Sequence, residues 1–226
     1  MKILIIGGTK GLGKEIHTRS FFNQEVELNS VINLSRTTSP KLDLSWEEDQ
    51  IKQVVRDTIN DELGGLDILV VSSGQGAYHS PLVSELKVKE LFQVNVFGPM
   101  AVYKAALKAL LKSKGKAIFI SSTAARRPGS GGLSIYGSTK AALNSWVMSE
   151  GRRAAKAGIA MCAVSPGFFE SEMVSDLKDN VRESATKAIP FGRFGTSPEV
   201  ADFVVSLYRQ SNWCLAGQIF DCSGGA

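Results

Sequence analysis

The 226-residue chain has little of what builds metal centres or disulfide frameworks: three cysteines, Cys162, Cys214 and Cys222, and two histidines, His17 and His79. An odd cysteine count with no C-x-x-C pair argues against both a disulfide framework and a zinc site. The histidines are too few and too scattered for a ligand set, so no metal is expected; His79, just beyond a glycine turn, is the one that could lie near a crevice. No apolar run approaches the roughly 20 residues of a membrane span, and strand-like residues begin at Lys2, which leaves no room for a signal peptide. The 26 basic and 22 acidic residues give a net charge of only +4, too mild and dispersed to argue for nucleic acid or membrane binding. These absences fit a reducing, cytoplasmic setting.

What remains is the material of a compact domain. At 43% hydrophobic and 21% charged residues the composition is ordinary. A chain of this length buries roughly 70% of its unfolded surface, ample for one core. Short apolar runs at residues 2–6, 31–34, 41–44, 68–71, 117–120, 159–164 and 218–220 read as strands. Between them, residues 10–23, 46–63, 84–113, 135–157 and 198–210 have helical length and spacing. Alternation of this kind predicts an α/β fold, a doubly wound parallel sheet covered on both faces, as one domain over residues 1–226. The connection from Arg36 to Lys41 is too short for a full helix, so one crossover after the second strand is trimmed.

Two motifs carry chemistry. Gly7-Gly8-Thr9-Lys10-Gly11-Leu12-Gly13 follows the first strand and opens a helix. Glycines there let backbone N–H groups approach a pyrophosphate, and the helix dipole favours anions. The spacing of Gly7, Gly11 and Gly13 departs from G-x-G-x-x-G, so alone it also suits a purely structural turn. The second motif is Tyr136-Gly137-Ser138-Thr139-Lys140, downstream of the strand-like residues 117–120 and the pair Ser121-Ser122. Residues four apart share a helix face, so the Lys140 ammonium is expected to lower a phenol pKa that is about 10 unperturbed. Y-x-x-x-K in isolation equally marks a solvated helix turn.

Together these residues make the chain resemble a short-chain dehydrogenase/reductase, with correspondence running almost end to end. The resemblance implies catalytic roles for Ser122, Tyr136 and Lys140, and for Asn95 in Val94-Asn95-Val96-Phe97-Gly98, which matches the family's helix-borne asparagine and would hold a water linking Lys140 to solvent. It implies cofactor contacts from Gly7, Thr9, Lys10, Gly11, Leu12 and Gly13, from Ser35, Arg36, Asp43 and Leu44, and from Ser73 and Gly74. Tyr136, Lys140, Pro166, Gly167, Phe168 and Ser171 would face the nicotinamide. Departures are visible. Val71-Ser72-Ser73-Gly74 keeps only the glycine of an asparagine-rich turn, Ile6 stands for a threonine, Ser165 for an asparagine and Ser171 for a threonine. The interval from Ser122 to Tyr136 is one residue longer than usual, which leaves Thr123 as an alternative to Ser122.

NAD-specific members of that family carry an acidic residue at the end of the second strand. Here the strand ends in Ser35-Arg36 and Lys10 stands in the glycine turn, two cations suited to a 2′-phosphate, so the expected cofactor is NADP (NADPH). The expected reaction interconverts a carbonyl and an alcohol on a small or medium organic substrate, with Tyr136 as general acid/base. The alternatives are an NADP-sensing binding protein without turnover and a nucleotide-sugar epimerase or dehydratase, the latter disfavoured by the short C-terminal part. Phe168, Phe169, Met173 and Phe191 offer apolar pocket surface, while Arg126 and Arg127 are either solvated or steer an anionic group. Val102, Ala106, Leu110, Trp146, Val147 and Ala154 suggest a second apolar helix face, hence a homodimer or homotetramer.

Overall fold

The computed structural model describes residues 1–21, 30–76, 83–127, 132–175 and 177–226, with backbone alone at Glu172 and Met173. His79 and the end of the first helical stretch lie outside the described residues. The strands are β1 (Ile3–Ile6), β2 (Val31–Leu34), β3 (Ile68–Val71), β4 (Lys116–Ile120), β5 (Ala160–Pro166) and β6 (Ile219–Cys222). All pair in parallel in the order β2-β1-β3-β4-β5-β6. Around them run α1 (Gly11–Phe21), α2 (Glu48–Asp57), α3 (Glu85–Phe92), α4 (Gly98–Ser113) and α5 (Ser134–Ala155). The short α6 (Glu172–Ser175), α7 (Asp179–Lys187), α8 (Ser197–Ser206) and α9 (Asn212–Leu215) complete the set.

Both faces of the sheet are covered, which is why the central strands are aliphatic without alternation. Leu4, Ile6, Leu69, Val71 and Phe119 pack toward α2, α4 and α5; Ile3, Ile5, Ile68, Val70 and Ile118 pack toward α1 and α8. Strand order reverses between β1 and β3, so their carboxyl ends open a crevice at the usual ligand position of such sheets.

Three expectations change. Residues 41–44 form no strand: after the single bridge Ser35↔Lys41 the chain turns, with Asp43 Oδ1 accepting from Ser45 N at 2.9 Å and from Ser45 Oγ at 2.8 Å. Residues 84–113 are not one regular helix, because a wide π turn, Gln93–Phe97, separates α3 from α4. Pro99, in the first turn of α4, has no N–H to return to the carbonyl of Asn95, and a locally widened helix accommodates that loss. Finally, the residues offered as a second apolar face fill the monomer's own core. Val102, Ala106, Leu110, Val147 and Ala154 are buried there, and Trp146 packs edge-on against Tyr103 and Phe119 at 5.7 and 5.3 Å.

Candidate active site

Two cavities adjoin at the carboxyl ends of the strands. The larger, about 560 Å³, is walled by Gly7, Thr9 and Lys10 of the glycine turn and by Ser35 and Arg36 after β2. Asp43, Leu44, Ser73 and Gly74 close it. The smaller, about 240 Å³, gathers Leu12 and Gly13 with Ser122, Tyr136 and Lys140. Pro166, Gly167, Phe168 and Ser171 form its far wall. Lys10 and Gly74 line both, so the two form one crevice.

The glycine turn is held by backbone geometry. Gly7 has φ +90°, a left-handed value that suits glycine, and its N–H donates to Leu34 O at 2.8 Å. A β-carbon on Gly13 would lie 2.0 Å from Gly7 O, so the turn and α1 touch through a space that no larger residue fits. Gly11 lines neither cavity; it also has positive φ, +50°, but its missing β-carbon would meet open space. Asn33, not anticipated from sequence, accepts from Gly8 N at 2.7 Å and pins the turn to β2. A polar residue inside the aliphatic strand Val31-Ile32-Asn33-Leu34 was the available signal.

At the other end, α5 carries Tyr136 and Lys140 into the smaller cavity. Lys140 is buried, its Nζ donating to Ile120 O at 2.9 Å and standing 5.8 Å from the centre of the Tyr136 ring. Burial pulls its pKa down to about 8. Tyr136 moves opposite to expectation: burial, the larger influence, raises its pKa, and a hydrogen bond with Ser122 lowers it in part. Enclosure penalises the phenolate and the ammonium alike, so proximity to Lys140 does not decide the direction here. The hydroxyl that reaches the phenol is that of Ser122, which also accepts from Ala124 N at 3.1 Å and so caps the short turn Thr123–Ala125.

Asn95 is buried behind the cavities and lines neither. Its Oδ1 accepts from Gln75 N at 2.7 Å, and its Nδ2 donates to Gln75 O at 2.8 Å and to Thr139 Oγ1 at 3.0 Å. Thr139 in turn donates to Tyr136 O at 2.7 Å. The amide thus ties the turn after β3 to the helix that holds the phenol, a link through Thr139 that sequence spacing did not reveal. A β-carbon on Gly74 would stand 3.2 Å from Lys140 Nζ and 3.4 Å from Asn95 Oδ1, so the glycine leaves room where these two groups approach. Ser121 and Ser165, visible in the sequence but given no role there, stand at neighbouring strand ends, and their buried hydroxyls have no hydrogen-bond partner among the described residues.

Of the aromatic residues expected to line the pocket, Phe168 and Phe169 do so. Phe191 instead is 69% exposed outside it beneath the Arg193 guanidinium, and the Met173 side chain lies outside the described atoms. Among the described residues no group of three metal-binding side chains occurs, and no helix is long and apolar enough to cross a membrane.

A family model described as enoyl-(acyl carrier protein) reductase matches residues 24–226. Carbonyl reductase family member 4 of Xenopus laevis is 29% identical over 98% of this chain and 95% of its own length. The 3-oxoacyl-[acyl-carrier-protein] reductase FabG of Thermotoga maritima is 28% identical over 98% of this chain and 96% of its own. Among solved structures, a dehydrogenase/reductase from Sinorhizobium meliloti 1021 has a TM-score of 0.87 at 25% identity, covering 99% of this chain and 94% of that one. The structure titled ElxO with NADP Bound has a TM-score of 0.86 at 24% identity over 99% and 98% of the two chains.

Proposed function

Since this chain belongs to the short-chain dehydrogenase/reductase family, and is thereby an NAD(P)-dependent oxidoreductase, we propose that it uses NADPH to reduce a carbonyl to an alcohol on a small or medium organic substrate. The observation that carries this reading is that Ser122, Tyr136 and buried Lys140 line one cavity, with the Lys140 ammonium 5.8 Å from the centre of the Tyr136 ring.

The crevice suits a dinucleotide. The turn excludes a β-carbon at Gly13 and so admits backbone N–H groups to a pyrophosphate beside the start of α1. Gly7, Thr9, Lys10, Leu12 and Gly13 would hold the phosphates. Ser35, Arg36, Asp43, Leu44, Ser73 and Gly74 would hold the adenosine half, and Pro166, Gly167, Phe168 and Ser171 the nicotinamide half. Arg36 and Lys10 share the larger cavity and make no ion pair among the described residues, which leaves both charges for a 2′-phosphate.

The reduced nicotinamide, when bound, supplies a hydride to the carbonyl carbon. Tyr136 breaks its O–H bond and gives the proton to the carbonyl oxygen, which Ser122 holds by a hydrogen bond. Burial raises the phenol's pKa and by itself makes it a weaker acid, so the transfer relies on stabilising the phenolate as the proton leaves. The phenolate left behind is favoured by the Lys140 charge until it regains a proton from solvent, and Asn95 holds α5 in position through Thr139.

The test is direct: the protein is mixed with NADPH and a panel of ketones and aldehydes, and cofactor absorbance is followed. Loss of absorbance on at least one carbonyl supports reduction. Tight NADPH binding with no turnover across the panel would favour a sensing protein instead.

A further inference from the structure

Arg126 and Arg127 are adjacent in sequence and have different fates. Arg126 reaches across to Asp221 at the end of β6 and forms an ion pair there. Arg127 lines the smaller cavity and has no ion-pair partner among the described residues. Its backbone is fixed by a hydrogen bond from Arg127 N to Thr123 O at 2.9 Å, immediately after the turn that Ser122 caps. No acidic side chain lines this cavity among the described residues. Its other cations are already engaged in the reading above: Lys140 beside Tyr136 and Lys10 at the junction with the larger cavity.

The rest of the wall is apolar. Leu133, Phe168, Phe169 and Val174 contribute, and Phe168 is stacked on Phe194 with ring centres 5.2 Å apart, which holds that side of the cavity in place. A pocket with a proton donor at its base, aliphatic and aromatic walls and one uncommitted guanidinium fits a bifunctional ligand. An arginine fork pairs with carboxylate or phosphate oxygens and adds specificity through geometry as well as charge. Resting on the reductase reading, we propose that the substrate is a carbonyl compound with an apolar body and an anionic group, and that Arg127 selects it by pairing with that anion. The carbonyl lies at Ser122 and Tyr136, the apolar body against Leu133, Phe168 and Phe169, and the anion toward Arg127. Arg126 takes no part in this recognition because Asp221 already holds it.

The experiment uses matched probes: a homologous series of straight-chain oxo acids and the primary amide of each, which keeps the shape and removes the charge. Affinity is measured by calorimetry with saturating NADP, and kcat/KM with NADPH, for the unaltered protein, Arg127→Gln and Arg126→Gln. The unaltered protein is expected to favour at least one acid over its amide roughly ten- to a hundredfold, the range for a charge-assisted pair. Arg127→Gln is expected to lose that preference while reducing the amide as before, and Arg126→Gln to keep it. Equal handling of acids and amides by the unaltered protein, or a preference that survives Arg127→Gln, overturns the assignment. Reduction of both without discrimination would remove the anion and leave carbonyl reduction standing. Charge-selective binding through Arg127 with no turnover of any probe would contradict the reductase reading instead, and with it the claim that the anionic ligand is a substrate.

Discussion

Two kinds of cation line the crevice and handle charge in opposite ways. In the smaller cavity Lys140 is 4% exposed, its ammonium bonded to a strand-end carbonyl and its pKa pulled down to about 8. In the larger one Lys10 and Arg36 are exposed and make no ion pair among the described residues. The proton transfer proposed for Tyr136 and Lys140 calls for fixed positions and a dry environment, which enclosure supplies at a desolvation cost. Groups that choose among ligands retain their charge in solvent until a ligand brings the opposite one.

The sharpest way to break this division is at the turn that joins the cavities. Gly13→Ala places a carbon against the carbonyl of Gly7, where backbone must move, and overpacking of this kind costs about 1–3 kcal/mol or more. We expect a lower unfolding midpoint together with loss of NADPH affinity by calorimetry. Gly11→Ala is the control: it meets open space and bears only the positive-φ cost of about 1 kcal/mol.

Lys140→Met tests whether enclosure is a cost. The folded-state pKa of Lys140 falls from 10.5 to about 8, so between these values the unfolded chain binds more protons than the folded one and stability rises with pH. That lowering corresponds to about 3 kcal/mol. Denaturant unfolding at intervals from pH 7 to 10.5 should show the unaltered protein gaining on Lys140→Met across that window, with the variant relatively favoured below pH 8. A constant difference would mean that the lysine is not desolvated as described.

The choice between neighbouring hydroxyls comes next. Removing a donor that holds a reacting oxygen costs on the order of 10²-fold in turnover, and Ser122→Ala should show it. Thr123→Ala, whose hydroxyl does not influence the Tyr136 phenol, should stay within about threefold. Comparable losses in the two variants would place the oxygen between them.

The smallest effect belongs to the exposed cations. Arg36→Ala should weaken NADPH binding roughly tenfold, leave NADH nearly unchanged and reduce the salt dependence of NADPH affinity. Equal loss for both nucleotides would assign Arg36 to the adenosine ring or to structure, not to a 2′-phosphate.

Much of the fold was legible because buried parallel strands are short aliphatic runs: residues 31–34 and 68–71 coincide with β2 and β3. Where reading failed, local chemistry overrode the pattern. Leu42 and Leu44 alternate as a strand would and are buried, but Asp43, which stands between them, closes a turn with Ser45. The second apolar face of α4 and α5 was illegible because periodicity cannot distinguish a partner surface from a thick core filled by Tyr103, Phe119 and Trp146. At the site, spacing placed Tyr136 and Lys140 on one helix face, but the direction of the Tyr136 shift depends on burial, which only the packed molecule shows. Thr139 and Asn33 act through single hydrogen bonds to residues distant in sequence, which leave almost no trace in the chain.

The central claim, that the enclosed groups do chemistry while the exposed ones bind, is tested most directly by Tyr136→Phe at saturating NADPH in a single-turnover reduction, with NADPH affinity measured on the same preparation. The account predicts a rate lower by about 10²- to 10⁴-fold with affinity nearly intact. A rate near that of the unaltered protein, or a matching loss of affinity, would contradict it.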